Sequence, residues 1–145
     1  MPHSSEIFIG AWQLVDWRIE YSDGGVTRPF GAGATGCIIY SADGTMTASI
    51  TKAARPPFGI ANARNASTEQ KAAAFDSYFH YAGPWRIEGD EVVHVVTMSL
   101  NPDMTGTDQR RLAKFDAAGG LTLSAHEALS GGASRHHVLQ WKSME

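Results

Sequence analysis

Residues 107–143 read TDQRRLAKFD, AAGG, LTLSAHEA, LSGGA and SRHHVLQWKS in succession: three runs of alternating or apolar residues separated by two glycine turns. A strand points successive side chains to opposite faces, and Gly, Asp and Asn supply the positive φ that tight hairpins need. The stretch therefore reads as three antiparallel strands in a meander. Working outward toward the N-terminus, the same rhythm gives five more strands, over residues 11–21, 35–41, 45–51, 81–88 and 91–100, beside those at 107–116, 121–128 and 134–143. The turns at Asp23-Gly24-Gly25, Asp43-Gly44 and Gly89-Asp90 continue the pattern. Eight strands joined by short links predict an all-β, antiparallel up-and-down barrel, because closure removes the exposed edges of the sheet.

One segment departs from this rhythm. Ser67 to Phe79 is rich in helix formers and has a candidate N-cap at Ser67 or Thr68, so a helix is expected there. With the Pro- and Gly-containing stretch Arg55 to Asn65 before it, the segment is expected to form a lid between the third and fourth strands.

Composition limits what the chain can be. With 145 residues, 43% of them hydrophobic and 19% charged, it is read as one folded domain over residues 1–145. A net charge of -3, with Arg110-Arg111 as the only notable basic pair, argues against a nucleic-acid partner. No apolar run approaches the ~18 residues that membrane insertion needs. The single cysteine, Cys37, and a start, Met1 to Glu6, without the marks of a secretion signal point to the cytoplasm.

Alternation also assigns faces. On the candidate strands, Ile38, Tyr40, Tyr81, Gly83, Trp85, Ile87, Val92, His94, Val96, Met98, Arg111, Ala113, Phe115, Leu121, Leu123, Ala125, Glu127, His137, Leu139 and Trp141 are expected to point inward. Cys37 and His136 are expected outside. Trp12 and Trp141 read as a plug at one end of the barrel.

Gly10-Ala11-Trp12-Gln13-Leu14-Val15, Pro29-Phe30-Gly31, Gly36-Cys37-Ile38-Ile39-Tyr40, Asp43-Gly44-Thr45-Met46, Ala74-Phe75-Asp76-Ser77-Tyr78 and Gly106-Thr107-Asp108-Gln109-Arg110-Arg111 occur in an order and spacing that resembles the lipocalin-like domain family of bacteria and fungi. The resemblance covers nearly the whole chain. It implies a lipocalin-like (calycin) barrel with a ligand cavity, and no particular reaction.

The residues that could do chemistry inside such a barrel are His94, Arg111 and Tyr81. A neutral imidazole can exchange a proton near pH 7, and a guanidinium can hold a carboxylate, an enolate or another oxyanion. Tyr40, Trp85, Phe115, Glu127, Met98 and His137 are the expected ligand contacts from the strands, with Phe58 and Tyr78 from the lid. No cofactor is implied, and the histidines lack the HxH or HxxxH spacing of a metal site.

These features lead to a small hydrophobic or aromatic, oxygen-bearing ligand, with cofactor-free isomerisation, cyclisation or elimination by acid–base chemistry as one outcome. Two alternatives stay open: a non-catalytic carrier, and a side-chain-filled barrel serving as a structural or interaction domain. A homodimer is compatible with each.

Overall fold

The computed structural model describes residues Ser4–Glu145. Met1, Pro2 and His3, part of the stretch read for a secretion signal, lie outside the described residues.

The strands are β1 (Gly10–Tyr21), β2 (Val26–Thr27), β3 (Thr35–Tyr40), β4 (Thr45–Thr51), β5 (Tyr78–Glu88), β6 (Glu91–Val95), β7 (Met98–Ser99), β8 (Asp108–Phe115), β9 (Leu121–Ala128) and β10 (Ser134–Ser143). The one α-helix among the described residues, α1, spans Thr68–Asp76. Pairing runs β1-β3-β4-β5-β6-β8-β9-β10, all antiparallel, and β10 returns to β1 from Trp12↔Ser143 to Tyr21↔Arg135. The eight long strands thus close into the expected barrel, and β2 and β7 are short additions to it.

Two bulges set which residues enter the barrel. In β1, Leu14 faces Trp141 and Asp16 faces Gln140, so Val15 is the extra residue and is exposed. This one-residue slip lets Trp12 and Leu14 before it, and Trp17 and Ile19 after it, share the inner face. Asp16 and Arg18 are left outside, 3.2 Å apart, with Arg28 also on Asp16 at 2.9 Å.

The second bulge breaks the run expected over residues 91–100. Trp85 faces His94, whereas Ala82 faces Met98 and Tyr81 faces Ser99, one residue out of step. The chain folds closely over Gly83 there: a Cβ on that residue would lie 1.8 Å from the carbonyl oxygen of Val95. Met98 is consequently turned to solvent and is 62% exposed, which corrects its expected inward position.

One end of the barrel is solid. A single turn of 3-10 helix, Ser5–Ile7, feeds Phe8 into it, and Phe8 is fully buried. The Phe8 ring lies 5.6 Å from Tyr40 and 5.0 Å from Phe115, both edge-on, and 5.9 Å from Trp85. Trp12 belongs to the same layer, donating from Nε1 to the Phe8 carbonyl at 2.8 Å. Trp12 is therefore part of the plug, with Phe8 at its centre.

The helix starts as expected. Ser67 Oγ accepts from the Gln70 amide at 3.1 Å while Gln70 Oε1 accepts from the Ser67 amide at 3.0 Å, a complete capping box. It ends at Asp76, three residues short of the expected Phe79, because Tyr78 already pairs with Thr51 in the sheet. No helix residue is buried. Arg55 ties the preceding loop to the helix end, donating to Ser77 Oγ at 2.8 Å and to the Ala74 carbonyl at 3.0 Å. Loop and helix enclose an outer groove of about 490 Å³ between them, and this is where Phe58 sits. No helix among the described residues is long and apolar enough to cross a membrane.

Candidate functional site

The end of the barrel away from Phe8 holds a partly open cavity of about 180 Å³. Its apolar wall comes from Trp17 on β1, Ile38 on β3, Ala48 and Ile50 on β4, Phe79 on β5, Leu123 on β9, and Leu139 and Trp141 on β10, with Met104 added by the loop before β8. Its polar groups are Tyr81, His94, Arg111 and His137. Three of these, Tyr81, His94 and Arg111, are the residues expected to carry the chemistry, and the topology brings them to one cavity.

His94 is almost wholly buried and both ring nitrogens are engaged. Nε2 lies 2.7 Å from the Tyr40 hydroxyl and Nδ1 lies 2.6 Å from the Tyr81 hydroxyl. Burial, with the positive charge of Arg111 nearby, lowers the imidazole from 6.5 to about 3, so the ring is neutral at pH 7. A neutral imidazole donates from one nitrogen and accepts at the other.

The direction follows from what surrounds the two hydroxyls. If His94 donated to Tyr40, the Tyr40 proton would need another acceptor, and His94 is the only side chain among the described residues bonded to that buried hydroxyl. Leaving a buried donor unmade costs ~1–3 kcal/mol. The favoured arrangement is therefore Tyr40 O–H donating to Nε2, Nδ1–H donating to Tyr81, and the Tyr81 O–H left for the cavity. Tyr81 is the group of this chain that can meet a ligand.

Passing a proton outward through all three residues would leave Tyr40 as a buried phenolate, and burial, together with the nearby Tyr81, already pushes its hydroxyl well above the usual range. Tyr81 is raised as well, by burial. His94, expected as the proton carrier, is held neutral between two tyrosine hydroxyls, where it is placed to orient their hydrogen bonds.

Arg111 lies on β8 opposite Val92, on the strand next to His94. Its guanidinium donates to the Arg110 carbonyl at 2.8 Å and to Gln109 Oε1 at 3.4 Å, both neutral acceptors. No carboxylate among the described residues pairs with it. Glu127, expected to point inward, is bonded to Arg135 at the exposed rim. His137 Nε2 lies 3.6 Å from the same Glu127 carboxylate, and burial holds His137 below its usual value.

Two residues of the apolar wall also carry unpaired polar atoms: the indole nitrogens of Trp17 and Trp141 are buried, with no hydrogen-bond partner among the described residues. By contrast, Trp12 and Trp85 are satisfied, the latter donating to the Ser41 carbonyl at 3.1 Å.

Several expected contacts lie elsewhere. Tyr40 sits behind His94, and Trp85 and Phe115 belong to the plug around Phe8, because the inner face extends into the solid end as well as the cavity. Glu127 is drawn to the rim by Arg135, and Met98 is outside because of the bulge. Tyr78 lies on the outer face, three positions from Tyr81 and so of opposite parity. Its hydroxyl donates to Ser49 Oγ at 3.2 Å, and the Arg55 guanidinium covers its ring. Phe58 stays in the outer groove, and of the expected lid only Phe79 lines the cavity. Of the expected ligand contacts, His137 is the one that does so.

Sequence reasoning missed Trp17, Ala48, Ile50 and Met104. The signal for Trp17 was present: strict alternation from Trp12 and Leu14 would have buried Asp16 and Arg18, and only a bulge avoids that. Met104 ends a single 3-10 turn, Pro102–Met104, where no strand alternation assigns a face.

Among the described residues, no group of three His, Cys, Asp or Glu side chains could hold a metal ion. Among curated proteins, the sequence finds no matching relative. The family model of the lipocalin-like domain, however, matches residues 9–144, nearly the whole chain, and by that match the protein belongs to the lipocalin-like domain family.

Proposed function

We propose that the barrel cavity binds a compact, mostly apolar molecule, of about one ring in size, that carries an oxygen function. The observation that carries this reading is the pairing of an apolar wall with the polar side chains of Tyr81, His94, Arg111 and His137. The Tyr81 hydroxyl is freed toward the cavity when His94 donates to it, and the wall includes Trp17 and Trp141, whose buried indole nitrogens have no partner among the described residues. Each unmade buried donor costs ~1–3 kcal/mol, which an acceptor on a ligand would recover. The size follows from comparison: a dry engineered cavity of roughly 150 Å³ takes up benzene, and this one has about 180 Å³.

Turnover of the ligand is a second reading, as a cofactor-free isomerisation, cyclisation or elimination. It is supported by His137, a cavity histidine kept neutral by burial and able to take a proton. In it Tyr81 and Arg111 would hold the ligand oxygen while His137 moves the proton. The lone, half-buried Cys37 supports a reducing cytoplasm as the working compartment.

Native and denaturing mass spectrometry of freshly purified protein test the reading and count the subunits. A retained small molecule of single-ring size is the expected result, and its recovery unchanged after long incubation would favour the carrier over the enzyme. Retention of only long-chain or much larger compounds would contradict the reading.

A further inference from the structure

The groups that line this cavity form a consistent electrostatic pattern. Tyr81 is a donor, not an acceptor, toward the cavity, because His94 already donates to its oxygen and Tyr40 fixes that direction from behind. Arg111 places a full positive charge on the same wall, bonded only to the neutral Arg110 carbonyl and Gln109 amide oxygen. The field of Arg111 reaches the site, since it opposes protonation of His94 and favours ionisation of both Tyr40 and Tyr81. The remaining charged groups lie at the rim, where Glu127 is neutralised by Arg135 and neighbours a neutral His137.

A neutral alcohol or amine would accept from Tyr81 but leave the guanidinium charge uncompensated. A negatively charged oxygen satisfies both. Preorganised donors on an apolar wall are worth more than in bulk solvent, because they need no reorganisation to meet the charge.

We propose that the cavity takes its ligand as an oxyanion, a phenolate, enolate or small carboxylate on an apolar body of ring size, held between the Tyr81 hydroxyl and the Arg111 guanidinium. This inference rests on the reading of the cavity as a binding site and goes beyond it by assigning the charge of what is bound. The oxyanion accepts the Tyr81 hydrogen bond without taking its proton, which keeps Tyr40 and His94 neutral.

The test uses 4-nitrophenol, whose absorbance distinguishes phenolate from phenol, and nitrobenzene as a neutral molecule of similar shape. The wild-type protein is titrated with each across a range of pH. The expected result is that bound 4-nitrophenol ionises at least about one pH unit below the free compound, equivalent to at least tenfold tighter binding of the phenolate than of the phenol. Arg111→Gln and Tyr81→Phe are each expected to move the bound value back toward the free one. If either variant fails to fold, the wild-type shift decides by itself. A bound probe that ionises at or above the free value overturns the inference and leaves the binding site standing. Absence of binding by both compounds at millimolar concentration overturns the binding site together with the inference.

Discussion

The Tyr81 hydroxyl lies 2.6 Å from Nδ1 of His94, and this contact converts a buried histidine into an orienting group for a cavity-facing phenol. It also makes the neutral form of His94 part of the folded structure.

The first prediction follows from that neutrality. In the folded chain His94 titrates at about 3 instead of 6.5. As pH falls below 6.5 the unfolded chain takes up a proton that the folded chain refuses, so stability is lost on acidification through this window and is constant above it. The slope is ~1.4 kcal/mol per pH unit for one such group. Urea unfolding of wild type and His94→Gln between about pH 6 and pH 4 should differ in slope by that amount. Equal slopes would mean that His94 is protonated in the folded protein.

Tyr40→Phe should destabilise the fold by ~1–3 kcal/mol, since it deletes the donor to Nε2 and leaves a buried acceptor bare. It should also weaken ligand binding without any direct contact, because His94 is then free to turn its proton away from Tyr81. A nitrogen-shift measurement of the His94 tautomer checks this: Nδ1 protonated in wild type, and a mixture in the variant.

Gly83→Ala should cost ~3 kcal/mol or more, since the added methyl must displace backbone rather than a flexible side chain. The bulge between Val95 and Met98 would have to open, and the amide of Thr97 would lose its 2.9 Å bond to the Ala82 carbonyl. Hydrogen exchange at Thr97 and urea unfolding give the two readouts.

Phe8→Ala should cost ~3–5 kcal/mol as a large-to-small change at the centre of the plug. Binding in the cavity should survive, because Phe8 lies at the opposite end and touches the aromatic layer of Tyr40, Trp85 and Phe115. Thermal unfolding paired with ligand titration separates the two effects.

The barrel was legible in the sequence because its signals are local. Glycine turns and period-two alternation gave 45–51, 121–128 and 134–143 with the ends they have in the structure. They also placed His94, Arg111, Tyr81 and His137 on the inner face. What was not legible depends on contacts between distant residues. The partition of the inner face into a plug and a cavity is set by Phe8, which precedes the first strand and carries no alternation signal. Met98 changed face at a bulge created by the close approach of Val95 to Gly83, and Glu127 was claimed by Arg135 across the β9–β10 pair. The helix and its loop read as a lid because their sequence has no stripe deciding which side of the barrel they pack on.

The four tryptophans offer the most direct test that the cavity is a binding site. Trp12 and Trp85 already donate to backbone carbonyls, whereas Trp17 and Trp141 belong to the cavity wall and their indole nitrogens have no partner among the described residues. Titration of nitrogen-labelled protein with 4-nitrophenol, followed through the four indole N–H signals, should shift those of Trp17 and Trp141 and leave those of Trp12 and Trp85 in place. Four stationary signals at saturating probe, or shifts confined to Trp12 and Trp85, would contradict the account.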